Sequence, residues 1–341
     1  VPTPFAPIAR VTRGDRDESW HLGVAAVVTP EGRRVARVGD PGAGTFVRSA
    51  AKPFQGMALL LAGGEAAYAL SEADVALVCA SHGGTPAHAA RAAALLARGG
   101  FSEADLACGA HPPLDAAAAE ALREAGREPT PLHNNCSGKH AGMLLATRLL
   151  GLPAEGYLDP DHPLQRGNRE RIARWCRVPE GEVGVAVDGC SAPTYHLPVE
   201  AAARGYAALA NPEAAGLAGA ERAAARRVIE AMAAAPEMVA GPGRFTTRLI
   251  QATGGRVIGK EGAEGFYAVA VRGPVALGVT LKVADGGERC RDGVVLALLR
   301  LAGCLSAEEL SRLEELHAAE RRNHRGTLVG RIVPDIELEE G

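Results

Sequence analysis

Residues 133–143 read HNNCSGKHAGM and crowd two asparagines, a cysteine, a lysine and two histidines into one short stretch. Cys136 and Lys139 are one helical turn apart, and a second run, DGCSAPT, carries Cys190. Two thiolates and one neutral amine can bind Zn²⁺ and leave a fourth position open for water or substrate. A lysine ligand must first lose its proton, which a bound metal favours. The residues alone leave three other readings open. They could be reduced core thiols, a disulfide, or a cysteine nucleophile activated by Lys139 or His140.

The use of lysine sharpens this choice. Lys and Arg together number 37, yet only Lys52, Lys139, Lys260 and Lys282 are lysines; the other 33 are arginines. Arginine stays protonated in proteins, whereas lysine can serve as a base or, once neutral, as a ligand. Each lysine is therefore a candidate for work that arginine cannot do.

Two of the remaining three lysines stand in suggestive settings. In Ser49-Ala-Ala-Lys52 the hydroxyl and the amine share one face at a helix start. There a desolvated lysine can accept the hydroxyl proton, and the helix N-terminus favours developing negative charge. Ser81-His82-Gly83-Gly84 puts a second serine in a loop. Lys260-Glu261-Gly262 puts a lysine on a strand, where the glycine is expected to let a substrate approach. In this order, S-x-x-K, S-x-x and K-x-G on helix, loop and strand resemble the layout of serine β-lactamases, which carry out acyl transfer without a His-Asp pair.

The elements that must position these residues are legible in outline. HLGVAAVVTPEGRRVARV (residues 21–38) reads as a hairpin with its turn at TPEGR. Helices are expected from Ser49 to Gly63, over 71–81, over AHAARAAALLARGG (87–100), after the N-cap Asp115, and from the opening motif to Gly151. Further helices are expected at PLQRGNRERIARWC, 198–210, 219–234, 290–302 and 306–320, the last with the capping box Ser306…Glu309. VGVAVDGCSAPTY reads as a short strand entering a loop, and residues from 245 to 286 as a small antiparallel meander. The expected fold class is α/β, with an antiparallel sheet built from N- and C-terminal segments. Residues 1–48 and 199–341 form this sheet domain, residues 49–198 a mainly helical one, and the active site is expected between them.

Composition narrows the class of function. A net charge of −3 gives no reason to expect nucleic acid or a membrane surface as partner. No apolar run reaches the roughly 18 residues of a membrane span, and the N-terminal segment shows no secretory h-region. Seven cysteines without paired spacing indicate reduced thiols and a cytoplasmic protein. No organic-cofactor motif is expected, and a homodimer is the expected assembly.

The motifs together resemble the bacterial L-asparaginase II family of the inducible rhizobial type, which is distinct from the threonine-nucleophile asparaginases. The resemblance runs through ESWHLG (18–23), FVRSAAKPFQ (46–55), SHGGTPAH (81–88), CGAHPPLD (108–115), HNNCSGKHAGML (133–144), VDGCSAPTYHLP (187–198) and GKEGAEGFYAV (259–269). It implies a serine β-lactamase/glutaminase-like fold and hydrolysis of the small molecule L-asparagine to L-aspartate and ammonia. It implies two Ser–Lys pairs, Ser49 with Lys52 and Ser81 with Lys260, and a zinc site of Cys136, Lys139 and Cys190. Arg48, Asn135, His140 and Asp188 are expected to hold the substrate's carboxylate and amine. The chain departs from the family pattern at Gly83, where a polar residue is usual, and at Thr85, where an acid is usual. A glutaminase or β-lactam hydrolase on the same fold, and a zinc-dependent asparagine sensor, are the competing readings.

Overall fold

The computed structural model describes residues 3–341, so the first two residues of the expected sheet domain lie outside the described residues. In chain order the strands are β1 (Ala6–Arg13), β2 (Arg16–Val28), β3 (Arg34–Val38), β4 (Gly44–Phe46), β5 (Gly184–Val187), β6 (Pro193–Pro198), β7 (Val257–Glu261), β8 (Phe266–Val271), β9 (Leu277–Val283), β10 (Ala319–Arg322), β11 (Leu328–Pro334) and β12 (Glu339–Glu340). The helices are α1 (Lys52–Leu61), α2 (Gly64–Tyr68), α3 (Glu72–Val78), α4 (Pro86–Arg98), α5 (Ala116–Glu124), α6 (Ser137–Leu150), α7 (Pro163–Cys176), α8 (Val199–Ala210), α9 (Gly219–Ala234), α10 (Pro236–Val239), α11 (Phe245–Ala252), α12 (Arg291–Leu301), α13 (Ala307–Ser311) and α14 (Glu314–His317). They fall into two compact units. The first is Val1–Ala50, Leu197–Gly216 and Arg248–Gly341; the second is Ala51–His196 and Leu217–Thr247.

The first unit is built on an antiparallel sheet. Among the described residues its main path runs β10-β11-β1-β2-β9-β8-β7, and β3 pairs with both β2 and β12. The expected hairpin is β2 and β3, paired Ala25↔Val38 to Val28↔Arg34, and the expected meander is β7-β8-β9. Val24–Val28 on β2 are all fully buried, so this stretch reads as a continuous apolar run and not as an alternation. Helix α8 supplies part of that cover: Ala203 clusters with Ala26 and Val28, and Thr280 on β9 donates its hydroxyl to the Val199 carbonyl at 3.0 Å. This is an α/β architecture with its sheet drawn from both ends of the chain.

Three features differ from the sequence reading. Residues 245–252 form helix α11 although Thr246, Thr247, Leu249 and Ile250 have β-type character; tertiary packing overrides a weak local preference there. The expected helix over 306–320 breaks into α13, α14 and strand β10. Strand β1 was not anticipated. It pairs with β11 from the far end of the chain, Arg10 opposite Val333, a register that no local pattern encodes.

The second unit is helical, with the β5–β6 hairpin as an additional element. Its central helix is α6, buried without interruption from Ser137 to Thr147. Gly138 and Gly142, one turn apart, let α6 approach α3 closely. A Cβ on Gly138 would lie 2.4 Å from the Leu77 carbonyl oxygen, and one on Gly142 would lie 2.5 Å from Val78 Cγ1. The two glycines thus set the start of α6 beside the end of α3. Asp74 on α3, itself buried, is clamped at 2.8 Å by both Arg91 and Arg98 of α4.

Candidate active site and thiol–amine centre

Within the first unit lie Arg48, Ser49 and Lys260. Arg48 and Ser49 occupy the 3-10 turn Arg48–Ala51 that leads into α1. Arg48 has φ of 49°, a left-handed conformation that costs a non-glycine residue energy and is concentrated at functional positions. The turn is anchored by the Tyr206 hydroxyl, which donates to the Ala50 carbonyl at 2.7 Å. Lys260, buried on β7, directs its Nζ to the Glu261 carbonyl at 3.0 Å. Glu261 in turn faces Arg291 at 3.6 Å, whose guanidinium lies over the Tyr267 ring. The Lys-x-Gly glycine, Gly262, is closely approached by other atoms of the chain. A Cβ there would lie 2.7 Å from the Val47 carbonyl oxygen, so the close approach is by the chain's own backbone, two residues ahead of Ser49.

The second unit holds Lys52, Ser81, Asn135, Cys136, Lys139, His140, Asp188 and Cys190. Asn135 is their hub. Its side-chain amide donates to Ser81 Oγ at 3.1 Å, and its carbonyl accepts from Lys52 Nζ at 3.4 Å and from the His82 N–H at 3.1 Å. Its Oδ1 lies 3.3 Å from Cys136 Sγ. One residue therefore joins a serine, a lysine and a thiol. The contacts follow from the close α3–α6 crossing, because Ser81 follows α3 and Asn135 precedes α6.

His111 belongs to the same network and was not singled out from sequence. Its Nε2 accepts the Asn135 backbone N–H at 3.2 Å, which leaves the ring proton on Nδ1, 2.6 Å from the Pro112 carbonyl. Nothing in the spacing of CGAHPPLD marks that role. Tyr157 is a second such residue. Its hydroxyl accepts the Ala107 N–H at 3.0 Å and bonds His140 Nδ1 at 2.7 Å.

Cys136, Lys139 and Cys190 are all buried, and they converge. Lys139 Nζ donates to Cys190 Sγ at 3.0 Å. Hydrogen bonding to Cys190, together with burial, pushes the Cys136 thiol well up. The Cys136 hydrogen bond, with Lys139 and His140 alongside, holds the Cys190 thiol far below its ordinary range despite burial. Of the pair, Cys190 is the sulfur whose surroundings favour the anion and Cys136 the one whose surroundings favour the thiol. Burial opposes the Lys139 ammonium, but Cys190 and Cys136 outweigh it and push its pKa up. His140 is fully buried and pushed down to about 4, first by desolvation.

Asp188 and Cys190 sit on the turn joining β5 to β6. The Ser191 N–H donates to the Asp188 carbonyl at 2.8 Å, and Ser191 takes φ of 66°. The strained residues Arg48 and Ser191 each adjoin a residue named from sequence. Among the described residues no three His, Cys, Asp or Glu side chains gather as a metal cage. Here the donors are two sulfurs and a lysine nitrogen, and the surroundings of one sulfur, Cys190, favour its anion. That set suits a borderline-soft divalent ion of the zinc type once Lys139 and Cys136 give up their protons.

Among the described residues no helix is long and apolar enough to cross a membrane. None of the curated proteins matches the chain. Solved structures of Mglu resemble it. One in its native form is 16% identical, covers 86% of this chain and 65% of its own, and has a TM-score of 0.42. Another, in its glutamate form, is 15% identical over 86% of this chain and 61% of its own, also with a TM-score of 0.42. The chain thus spans slightly less than two thirds of these two Mglu chains. The family model described as L-asparaginase II matches residues 9–334, nearly the whole length. The chain belongs to the L-asparaginase II family.

Proposed function

We propose that the protein hydrolyses the side-chain amide of L-asparagine, giving L-aspartate and ammonia, by serine acyl transfer. Ser49 Oγ attacks the amide carbon while Lys52 takes its proton. Backbone N–H groups, that of Ser49 among them, stabilise the oxyanion. The C–N bond then breaks. Lys260, acting with Ser81, protonates the departing amine, and ammonia leaves. The proton held by Lys52 makes good the one Lys260 gave up, so Lys52 is neutral again; it then takes a proton from the water that adds to the ester and returns it to Ser49 Oγ as aspartate leaves. Arg48 holds the substrate's α-carboxylate, and Asp188 and Asn135 hold its α-amine. His140, buried against Tyr157, acts through Cys190 and not on the substrate.

Cys136, Lys139 and Cys190 would hold a zinc ion, which would supply a fixed positive charge for an anionic group of the substrate. The residues themselves orient Asn135, and through it Ser81. The observation that carries the reading is the Asn135 hub, which links Ser81, Lys52 and Cys136 within a chain of this family.

The test is ammonia release from L-asparagine and L-glutamine, and hydrolysis of a chromogenic β-lactam, with and without chelator. The proposal expects asparagine to be turned over with the highest kcat/KM. A preference for glutamine or the lactam would reassign the substrate. Binding of asparagine without ammonia would make the protein a sensor and end the enzymatic reading.

A further inference from the structure

Ser81 heads a loop, residues 81–85, that is pinned by two imidazoles. His82 is fully buried. Its Nδ1 accepts the Gly84 N–H at 3.1 Å, so the ring proton must sit on Nε2. Nε2–H then donates to Ser137 Oγ at 3.0 Å, and the Ser137 hydroxyl donates to the Leu132 carbonyl at 3.0 Å. His88, also fully buried, repeats the pattern from α4. Its Nδ1 accepts from the Thr85 N–H at 3.2 Å and the Thr85 hydroxyl at 2.6 Å, and its Nε2–H donates to the Glu237 carbonyl at 2.9 Å. The two rings stack, with centroids 4.7 Å apart and planes within 13°. The Ser81 N–H itself goes to the Val239 carbonyl at 3.0 Å. The loop is thereby tied to α10 at both of its ends.

Every polar atom of both rings is committed. Each ring must accept at Nδ1 and donate at Nε2, which only the neutral Nε2–H tautomer can do. A proton added to either Nδ1 would remove the acceptor of a loop N–H and place a charge against the other ring. We propose that His82 and His88 are positioning residues that hold the Ser81 loop, and that they do so only while both rings are neutral. The proposal rests on the catalytic role assigned to Ser81 above.

The surroundings agree. Burial, then His88, Lys52, His111 and Arg244, push His82 well below the ordinary histidine range. Burial pushes His88 down too, and Arg244 assists, against the Glu237 carbonyl, Asp115 and the Glu237 carboxylate. The Thr85 hydroxyl that serves His88 also caps α4, accepting from the His88 N–H. Thr85 thus completes a neutral hydrogen-bonded lock.

The test uses two substitutions at one position. His82→Phe removes both ring bonds. It is expected to lower kcat about 100-fold while KM changes less than about threefold. His82→Asn puts a non-titrating acceptor where Nδ1 was. It is expected to recover kcat to within about tenfold of wild type and to move the acid limb of kcat to lower pH. Near-wild-type kcat in His82→Phe, or an unmoved acid limb in His82→Asn, would overturn the proposal. A second readout does not need turnover. ¹⁵N NMR of histidine-labelled protein should show both rings as neutral Nε2–H tautomers at neutral pH, titrating only below the ordinary histidine range. An Nδ1–H tautomer, or titration of either ring near about pH 6.5, would also overturn it. If the wild type released no ammonia, the proposed function would fail, and the ring spectra alone would decide whether the lock exists.

Discussion

Lys139 and Cys190 meet at 3.0 Å in the buried interior of the helical unit, an amine donating to a sulfur. An arginine would keep the charge and lose the chemistry. The contact explains why this chain, which writes positive charge almost wholly as arginine, keeps a lysine here. With burial opposing it, the Lys139 ammonium is held in place by Cys190 and Cys136. Displacement of that proton would make the residue a ligand of the proposed zinc.

Lys139→Arg is therefore predicted to retain the fold and lose the metal. Purified wild type is expected to carry about one zinc per chain, and the variant less than about a tenth of that. Elemental analysis of zinc against protein checks it. Full zinc in the arginine variant would remove Lys139 from the ligand set.

Asn135→Ala should damage two functions together. The side chain donates to Ser81 Oγ and faces Cys136 Sγ, so its loss frees the serine and removes support from a proposed ligand. A fall in kcat of about 10²-fold is expected, with zinc affinity weakened about tenfold or more. Ammonia release and competition with a zinc chelator measure the two losses. Loss of turnover with unchanged zinc affinity would show that the hub does not couple them.

Asp74 is predicted to contribute to stability against acid. Burial pushes its carboxyl up, but the Ser71 N–H, Arg98, the Ser71 hydroxyl and Arg91 outweigh it and hold it below its ordinary value. A lowered folded value means the contribution is fully present above about pH 4, the unfolded value, and is lost as pH falls through the folded one. Asp74→Ala is expected to cost about 3 kcal/mol at neutral pH, because two arginines lose a buried partner. Urea midpoints at pH 7 and pH 3 should differ more in wild type than in the variant. An equal acid shift in both would assign the effect elsewhere.

The fold was legible where signals are local. The run LGVAAVV, the turn TPEGR, the cap Asp115 and the box Ser306…Glu309 all mark real elements. The pairing of β1 with β11 was not, because it depends on partners over three hundred residues apart. At the site, residue types pointed to Ser49, Lys52, Ser81, Lys260 and the thiol–amine set. The hub role of Asn135 was hidden, since it arises from the α3–α6 crossing at Gly138 and Gly142. The His82–His88 lock was hidden for a related reason: a tautomer follows from which backbone groups surround a ring, and sequence does not display them. HNNCSGKHAGM is crowded because one short stretch supplies the hub, two proposed ligands and the glycines that bring them to Ser81.

The most direct measurement is steady-state ammonia release from L-asparagine by wild type, Ser49→Ala and Lys52→Ala under identical conditions. The account predicts turnover by wild type and a loss of about 10³-fold or more in kcat for each variant, with the fold intact by circular dichroism. Near-wild-type turnover by either variant would contradict a Ser49–Lys52 acyl transfer.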